Sequence, residues 1–297
     1  MMHKNRDISK YCAVSVFNSQ LTPIRNKLGN YIRKEEFAYS SYGSAINEPD
    51  TLMGHLERVA SYAVRLASKE GVDLLCAELA GLFHDAGKFH SGQYHKGDKP
   101  EEEYSIEVLR EIGGSNGLDP TMIEEVCNAI QQLYRDDPKP TPLSMVLFDA
   151  DNLDKMGFLG IANYFIKSGL RGEGITAEMI IRLTVELTYA RYASRRMLTK
   201  TGRLIAERRS SETIRFIHDF LKSLKEDGLF DAQVEHISIS DMELEVVSPS
   251  ACHCGAGLSK RTWIEQGVKC KEIHLEIACT ACENKYKIKF CRPMFVV

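Results

Sequence analysis

Leu74-Leu75-Cys76-Ala77-Glu78-Leu79-Ala80-Gly81-Leu82-Phe83-His84-Asp85-Ala86-Gly87-Lys88 decides how this chain is read. From Leu74 to Phe83 it is apolar almost all round, the pattern of a helix buried on every side. It closes on an imidazole and a carboxylate. Burying an ionised carboxylate without a partner costs several kcal/mol. A His-Asp pair at the end of such a helix therefore needs neighbours from elsewhere in the chain.

Upstream, Leu52, Leu56, Val59, Ala63 and Leu66 recur at spacings of four and three, one face of a helix, and His55 borders that face. Downstream, Gly87, Gly92, Gly97 and Pro100 mark a loop, and helices are expected near 102–113 and 120–135. Thr141 and Pro142 then open another helix as N-cap and first helical residue. Its apolar run Met145–Phe148 leads into Asp149-Ala150-Asp151-Asn152-Leu153-Asp154. Three buried helices thus carry carboxylates and imidazoles, and a shared divalent cation supplies the compensating charge. Residues two apart on a helix point about 200° apart, so Asp149 and Asp151 cannot serve one cation. Asp151 and Asp154, three apart, share a side.

The order is a His, then His-Asp about 29 residues later, then Ala-Asp-x-Leu about 66 residues further on. In these motifs, over roughly residues 50–225, the chain resembles the HD-domain superfamily of metal-dependent phosphohydrolases. The resemblance implies a helical domain with a metal held by His55, His84, Asp85 and one Asp of the last motif. That Asp is Asp151, which occupies the family's Ala-Asp-x-Leu position. It implies hydrolysis of a phosphorylated small molecule, a nucleotide first, by metal-activated water. Asp85 could orient or deprotonate that water, and Lys88 is placed to touch a phosphate. Asp154 is a candidate orienting or substrate contact, and Asp149 a candidate bond to a neighbouring helix end or another cation. The chain departs from the family's two-metal pattern at Leu133, where a further His would be expected. His90 and His95 in the loop are partial substitutes, and a single-metal site is the expectation. Mn, Fe, Ni, Co, Mg and Zn all stay open as the metal. So do phosphomonoesterase, phosphodiesterase and nucleotidase activity.

Two other readings compete. One is a non-catalytic adaptor that senses a metal or nucleotide. The other is a di-iron oxygenase, disfavoured by the missing second set of histidines. The cationic run Arg182, Arg191, Arg195, Arg196, Lys200, Arg203, Arg208 and Arg209 reads as a solvated face before a phosphate site.

Of nine cysteines, six follow residue 250. Cys252-His253-Cys254-Gly255 and Cys279-Thr280-Ala281-Cys282 form two pairs that suit a tetrahedral structural zinc. His253, Cys270 and Cys291 are reserve ligands. Ile273, Leu275 and Ile277, then Tyr286, Ile288 and Phe290, alternate as strands do. This segment resembles a zinc ribbon, although its first pair is Cys-x-Cys. Ribbons of this kind contact nucleic acid or protein, and Lys260, Arg261, Trp263, Lys285, Lys287 and Lys289 offer a basic and aromatic surface for it.

The expected architecture is mainly α, an HD-type helical bundle followed by a small β zinc ribbon. Residues 1–50 form an N-terminal helix (about Thr22–Arg33) and loop packed on the main domain, 51–226 the helical domain, 227–241 a linker and 242–297 the ribbon. Long helices are expected near 176–200 and 211–226. The chain has 297 residues, 43% hydrophobic and 27% charged, with net charge −3. That composition is ordinary for a soluble globular protein and argues against a wholly basic nucleic-acid binder. With no long apolar run and no apolar stretch after the charged start, no membrane partner and a cytoplasmic location are expected. The oligomeric state stays open.

Overall fold

The computed structural model describes residues 21–39, 51–94, 98–133, 139–170, 172–240, 242–266 and 271–291. The described residues fall into two compact units, one within Met1–Asp154 plus Leu198–Gly202 and one within Lys155–Met197 plus Arg203–Val297.

In the first unit, α2 (Thr51–Glu70) packs against α3 (Leu74–Phe83) and α6 (Pro142–Asp154). Leu56, Val59, Leu66, Leu79, Leu82, Phe83, Leu147 and Leu153 are all fully buried. Each contributes about 1.5–3 kcal/mol, which offsets the cost of seating carboxylates among them. Asp73 caps α3 by accepting from the Cys76 amide at 2.8 Å. Thr141 caps α6 through the Ser144 amide at 3.2 Å, with Pro142 at the first helical position. Around this trio lie α1 (Thr22–Ala38), α4 (Glu101–Ser115) and α5 (Pro120–Gln132). Buried Arg25 on α1 donates to Glu57 on α2 and Glu78 on α3, so the N-terminal helix neutralises two acids that the core has enclosed. The loop expected after the N-terminal helix falls on residues 40–50, outside the described residues.

The second unit holds α7 (Gly157–Leu170), α8 (Ala177–Arg196), most of α9 (Lys200–Glu226) and five strands. Strands β1 (Ala232–Ile239) and β2 (Met242–Pro249) pair antiparallel, from Ala232↔Pro249 to Ile239↔Met242. Helix α8 satisfies the other edge of β2. Thr184 Oγ1 accepts from Val247 N at 3.0 Å, Thr188 Oγ1 from Glu245 N at 3.1 Å, and Tyr192 Oη from Glu243 N at 2.9 Å. Four residues of helix rise about 6 Å and two residues of strand about 6.7 Å, so the hydroxyls keep step with alternate amides. An edge that would otherwise seek another strand is thereby closed.

A mainly α chain ending in a small antiparallel β module agrees with the expectation, but its internal division does not. The 227–241 stretch expected as a linker contains β1, and β2 belongs with α8 rather than with the cysteine strands. The compact division falls at 154/155, not near 226, because α7, α8 and α9 bury Ile161, Leu183, Leu187, Ile217 and Leu221 together with Val247 of β2. Strands β3 (Leu258–Gln266), β4 (Lys271–Cys279) and β5 (Lys285–Cys291) form a separate sheet in that order. Its inward row, including Ile273, Leu275, Ile277, Ile288 and Phe290, is buried. Among the described residues no helix is long and apolar enough to cross a membrane.

Candidate metal centre

Helix α2 supplies His55, the end of α3 supplies His84 and Asp85, and the last turn of α6 supplies Asp151 and Asp154. Side chains scattered over nearly a hundred positions meet. His55 Nε2 lies 3.7 Å from Asp85 Oδ2 and 3.5 Å from Asp151 Oδ1. His84 Nε2 lies 3.7 Å from each of the same two oxygens. Ligand atoms of His55, His84 and Asp151 all fall within 4.8 Å of one another.

Both imidazoles are anchored through their far nitrogen. His55 Nδ1 donates to Asp154 Oδ2 at 2.8 Å, and His84 Nδ1 donates to the Gly81 carbonyl at 2.9 Å. Both rings therefore turn Nε2 towards the carboxylates, and in the neutral form that nitrogen carries the lone pair. His84 is 0% exposed, and its Nε2 has no hydrogen-bond partner among the described residues. A buried ring nitrogen facing acids is costly unless a proton or a metal cation takes its lone pair. Two imidazole nitrogens and the Asp151 carboxylate form a donor set that suits a divalent transition metal, and Asp85, expected as a fourth ligand, stands beside that set with Oδ2 3.7 Å from each imidazole.

The electrostatics agree. Burial alone pushes the Asp85 carboxyl up, but Lys88, His84 and His55 hold it well below the usual carboxylate range. Burial opposes charge on Lys88, and the Asp85 carboxylate to which it donates outweighs this and raises its pKa. Burial likewise opposes charge on His84, and Asp85 and Asp151 outweigh it. Lys88 is 20% and His55 15% exposed, so both border the opening of an otherwise closed cluster.

The remaining expected residues lie elsewhere. Asp149 is no part of the cluster; its carboxylate accepts from the amides of Leu198 and Thr199, each at 2.8 Å, and from Thr199 Oγ1 at 2.6 Å. Those bonds fix Thr199, whose Oγ1 caps α9 by accepting from the Gly202 amide at 2.9 Å, and burial still pushes the Asp149 carboxyl up to about 6. His90 stacks on Tyr104 with ring centroids 3.9 Å apart and is not in the group that His55, His84 and Asp151 form. His95 lies outside the described residues, and Leu133 is buried at the end of α5. Within the cationic run, Arg182 pairs with Glu173, Arg191 with Glu243 and Glu245, and Arg208 with Glu212. The sequence reading missed Arg58. It grips Asp154 through Nε at 2.7 Å and Nη2 at 3.0 Å, and its position three after His55 on α2 was the available signal.

The four cysteines form a second cluster. Sγ atoms of Cys252 and Cys282 lie 3.6 Å apart, as do those of Cys254 and Cys279, and all four lie within 4.8 Å of one another. Tetrahedral zinc with 2.3 Å bonds spaces its sulfurs about 3.8 Å apart. The amides of Ala281 and Cys282 each point at Cys279 Sγ from 3.3 Å, and these bonds lower that thiol's pKa. Gly255, with φ +82°, permits the turn after the first pair. His253 sits beside Cys252 with Nδ1 3.5 Å from its sulfur, outside the four-sulfur set. Cys270 and the Cys291 side chain lie outside the described residues. The basic surface expected on this module is a mixed one: Lys260 pairs with Glu235, Lys287 with Glu276 and Lys289 with Glu272, while Arg261 lies over the Trp263 ring.

Residues 52–156 match the HD domain family model. That stretch of the chain is similar to an HD domain. The matched span contains His55, His84, Asp85, Asp151 and Asp154 and ends within two residues of the last of them. Compared with single proteins, the chain is 28% identical over 182 residues to the uncharacterized Bacillus subtilis protein YpgQ, covering 57% of this chain and 82% of YpgQ. Similar solved structures include a predicted HD superfamily hydrolase from an uncultured Thermotogales bacterium, at 25% identity and TM-score 0.46, covering 68% of this chain and 93% of that one. Another is B. subtilis YpgQ in complex with ADP, at 24% identity and TM-score 0.47, covering 67% and 96%.

Proposed function

We propose that the HD domain is a metal-dependent phosphohydrolase acting on a phosphorylated small molecule, with nucleotides as the first class to test. The observation that carries this reading is the convergence of His55 Nε2, His84 Nε2, Asp85 Oδ2 and Asp151 Oδ1, with the Lys88 ammonium beside Asp85 at the rim. Those four side chains would hold one divalent cation. When bound, such a cation lowers the pKa of water towards neutrality and polarises a phosphoryl oxygen.

The chain's own groups do the rest. Asp85 accepts a proton from the attacking water or fixes its orientation. Lys88 offers its ammonium to a phosphoryl oxygen, where charge develops as the bond to the leaving group breaks. The anchored imidazoles keep the donor set from rearranging, and the surrounding apolar helices limit access by bulk water. YpgQ, whose crystal structure holds ADP, directs the first assays to nucleotides. The four cysteines are proposed to hold a structural zinc.

The test is a panel of nucleoside mono-, di- and triphosphates incubated with the full chain and Mn²⁺, with release of phosphate or pyrophosphate as the readout. Turnover by the wild-type chain and none by Asp151→Ala is expected. An Asp151→Ala variant with undiminished turnover overturns the assignment.

A further inference from the structure

The two imidazoles of the cluster are held in different ways. His84 Nδ1 donates to a backbone carbonyl three residues earlier, so its orientation follows from the end of α3 itself. His55 Nδ1 donates to a side chain, the Asp154 carboxylate on another helix. That carboxylate in turn lies in the fork of Arg58, with Nε on Oδ1 at 2.7 Å and Nη2 on Oδ2 at 3.0 Å. Oδ2 is therefore shared between Arg58 and His55, and Oδ1 is taken up by Arg58.

We infer that Arg58 is a positioning residue for the metal centre, acting through Asp154 to fix the plane of the His55 imidazole and the direction of its Nε2 lone pair. This rests on the metal centre proposed above. The geometry leaves Asp154 little freedom. Two parallel N–H bonds from a planar guanidinium lock a carboxylate in both angle and rotation, which one bond does not. An acceptor-only oxygen on Nδ1 then places the ring proton there and leaves Nε2 free to bind. Arg58 and His55 stand three apart on α2, so fork and imidazole leave the same face of one helix and reach the same residue at the end of α6. A salt bridge serving only to join α2 to α6 would not need Asp154 Oδ2 to be shared with His55. Arg58 is 31% exposed, so solvent screening limits what the ion pair alone adds to folding.

The experiment titrates Mn²⁺ calorimetrically into the full chain, apart from any turnover assay, for wild type, Arg58→Gln, Arg58→Lys, Asp154→Asn and the Arg58→Gln/Asp154→Asn double variant. Circular dichroism confirms folding. Arg58→Gln and Asp154→Asn are each expected to weaken Mn²⁺ binding about tenfold or more. The double variant should bind no more weakly than Asp154→Asn, because Arg58 acts through Asp154. Arg58→Lys keeps the charge but loses the fork, so it should fall between wild type and Arg58→Gln. If Arg58→Gln leaves Asp154 charged and unpaired and folds poorly, the double variant and Arg58→Lys carry the comparison. Wild-type affinity in Arg58→Gln or Arg58→Lys, or losses that multiply in the double variant, overturn the inference. A wild-type chain that takes up no Mn²⁺ overturns the metal centre itself, a different result from tight Mn²⁺ binding that ignores residue 58.

Discussion

A Cβ placed on Gly81 would stand 2.4 Å from the Cα of Ala60. No side chain fits there, so the glycine sets how closely α3 approaches α2. His55 lies five residues before Ala60 and His84 three after Gly81, and the Gly81 carbonyl anchors the His84 ring at 2.9 Å. Gly81→Ala should force the helices apart at a cost of about 1–3 kcal/mol. It should also spread the two imidazoles. Thermal melts and Mn²⁺ titration check this, and a Gly81→Ala chain with a lowered Tm but unchanged Mn²⁺ affinity would show that the close approach serves packing alone.

Asp149 and Asp151 should behave as opposites although one residue separates them. Asp149 accepts three hydrogen bonds at the start of α9, and a Cβ on Gly202 would meet its Oδ2 at 2.1 Å. Asp149→Ala leaves buried amides and a hydroxyl unsatisfied and should cost about 2–3 kcal/mol. Its Mn²⁺ affinity should change far less than its stability. Asp151→Ala removes one of several crowded carboxylates and should melt within about 1 kcal/mol of wild type while losing Mn²⁺ binding. Parallel urea melts and titrations separate the two. Equal stability losses would mean that both aspartates are structural.

What was legible in the sequence was local. His55, His84 and Asp85 stand out because buried helices carry them; helical geometry puts Asp149 and Asp151 on different sides, and the resemblance to the HD superfamily chose Asp151. Helix α7 was not read from the sequence, and its stretch contains Gly157, Gly160 and Gly169. Gly157 takes φ +70°, and a Cβ on Gly160 would lie 2.3 Å from the Lys155 carbonyl, so two of these glycines are required by the turn into the helix. Helix α9 begins at Lys200 rather than near 211; its cap is Thr199, whose Oγ1 accepts from the Gly202 amide, and the residue that fixes Thr199, Asp149, lies some fifty residues away in sequence. The β1–β2 hairpin was hidden for a similar reason. β2 is buried almost continuously rather than alternately, and the hydroxyls that satisfy its edge belong to α8.

Glu186 on α8 should make stability depend on pH. Burial pushes its carboxyl from the ordinary value of 4.5 up to about 7, with Lys167 only partly opposing. The folded chain therefore holds a proton between about pH 4.5 and 7 that the unfolded chain has released, and stability contributed at this site falls as pH rises through that window. Below it both states are protonated and the difference vanishes. Glu186 is half-buried, so the penalty at pH 8 is on the order of 1 kcal/mol. Glu186→Gln should match wild type near pH 4.5 and exceed it by several degrees in Tm at pH 8. A gap between the two proteins that stays constant with pH would exclude this titration as its cause.

The cysteine cluster should account for one zinc per chain. Cys254 and Cys279 contribute sulfurs 3.6 Å apart, whereas Cys76 and Cys127 are buried away from it, and burial pushes their thiols up to about 12 and about 11. A buried, protonated thiol with no cysteine neighbour is a poor ligand. Elemental analysis of the purified chain should therefore find zinc, lost in Cys254→Ser and Cys279→Ser but retained in Cys76→Ala. The β3–β5 sheet buries only a short apolar row, and so small a module should depend for folding on a metal held by the four cysteines. Chelation should thus open residues 258–291 to protease before the helices yield. Zinc retained by both serine variants, or a protease-resistant sheet in the chelated chain, would remove the cysteine cluster as the source of that stability.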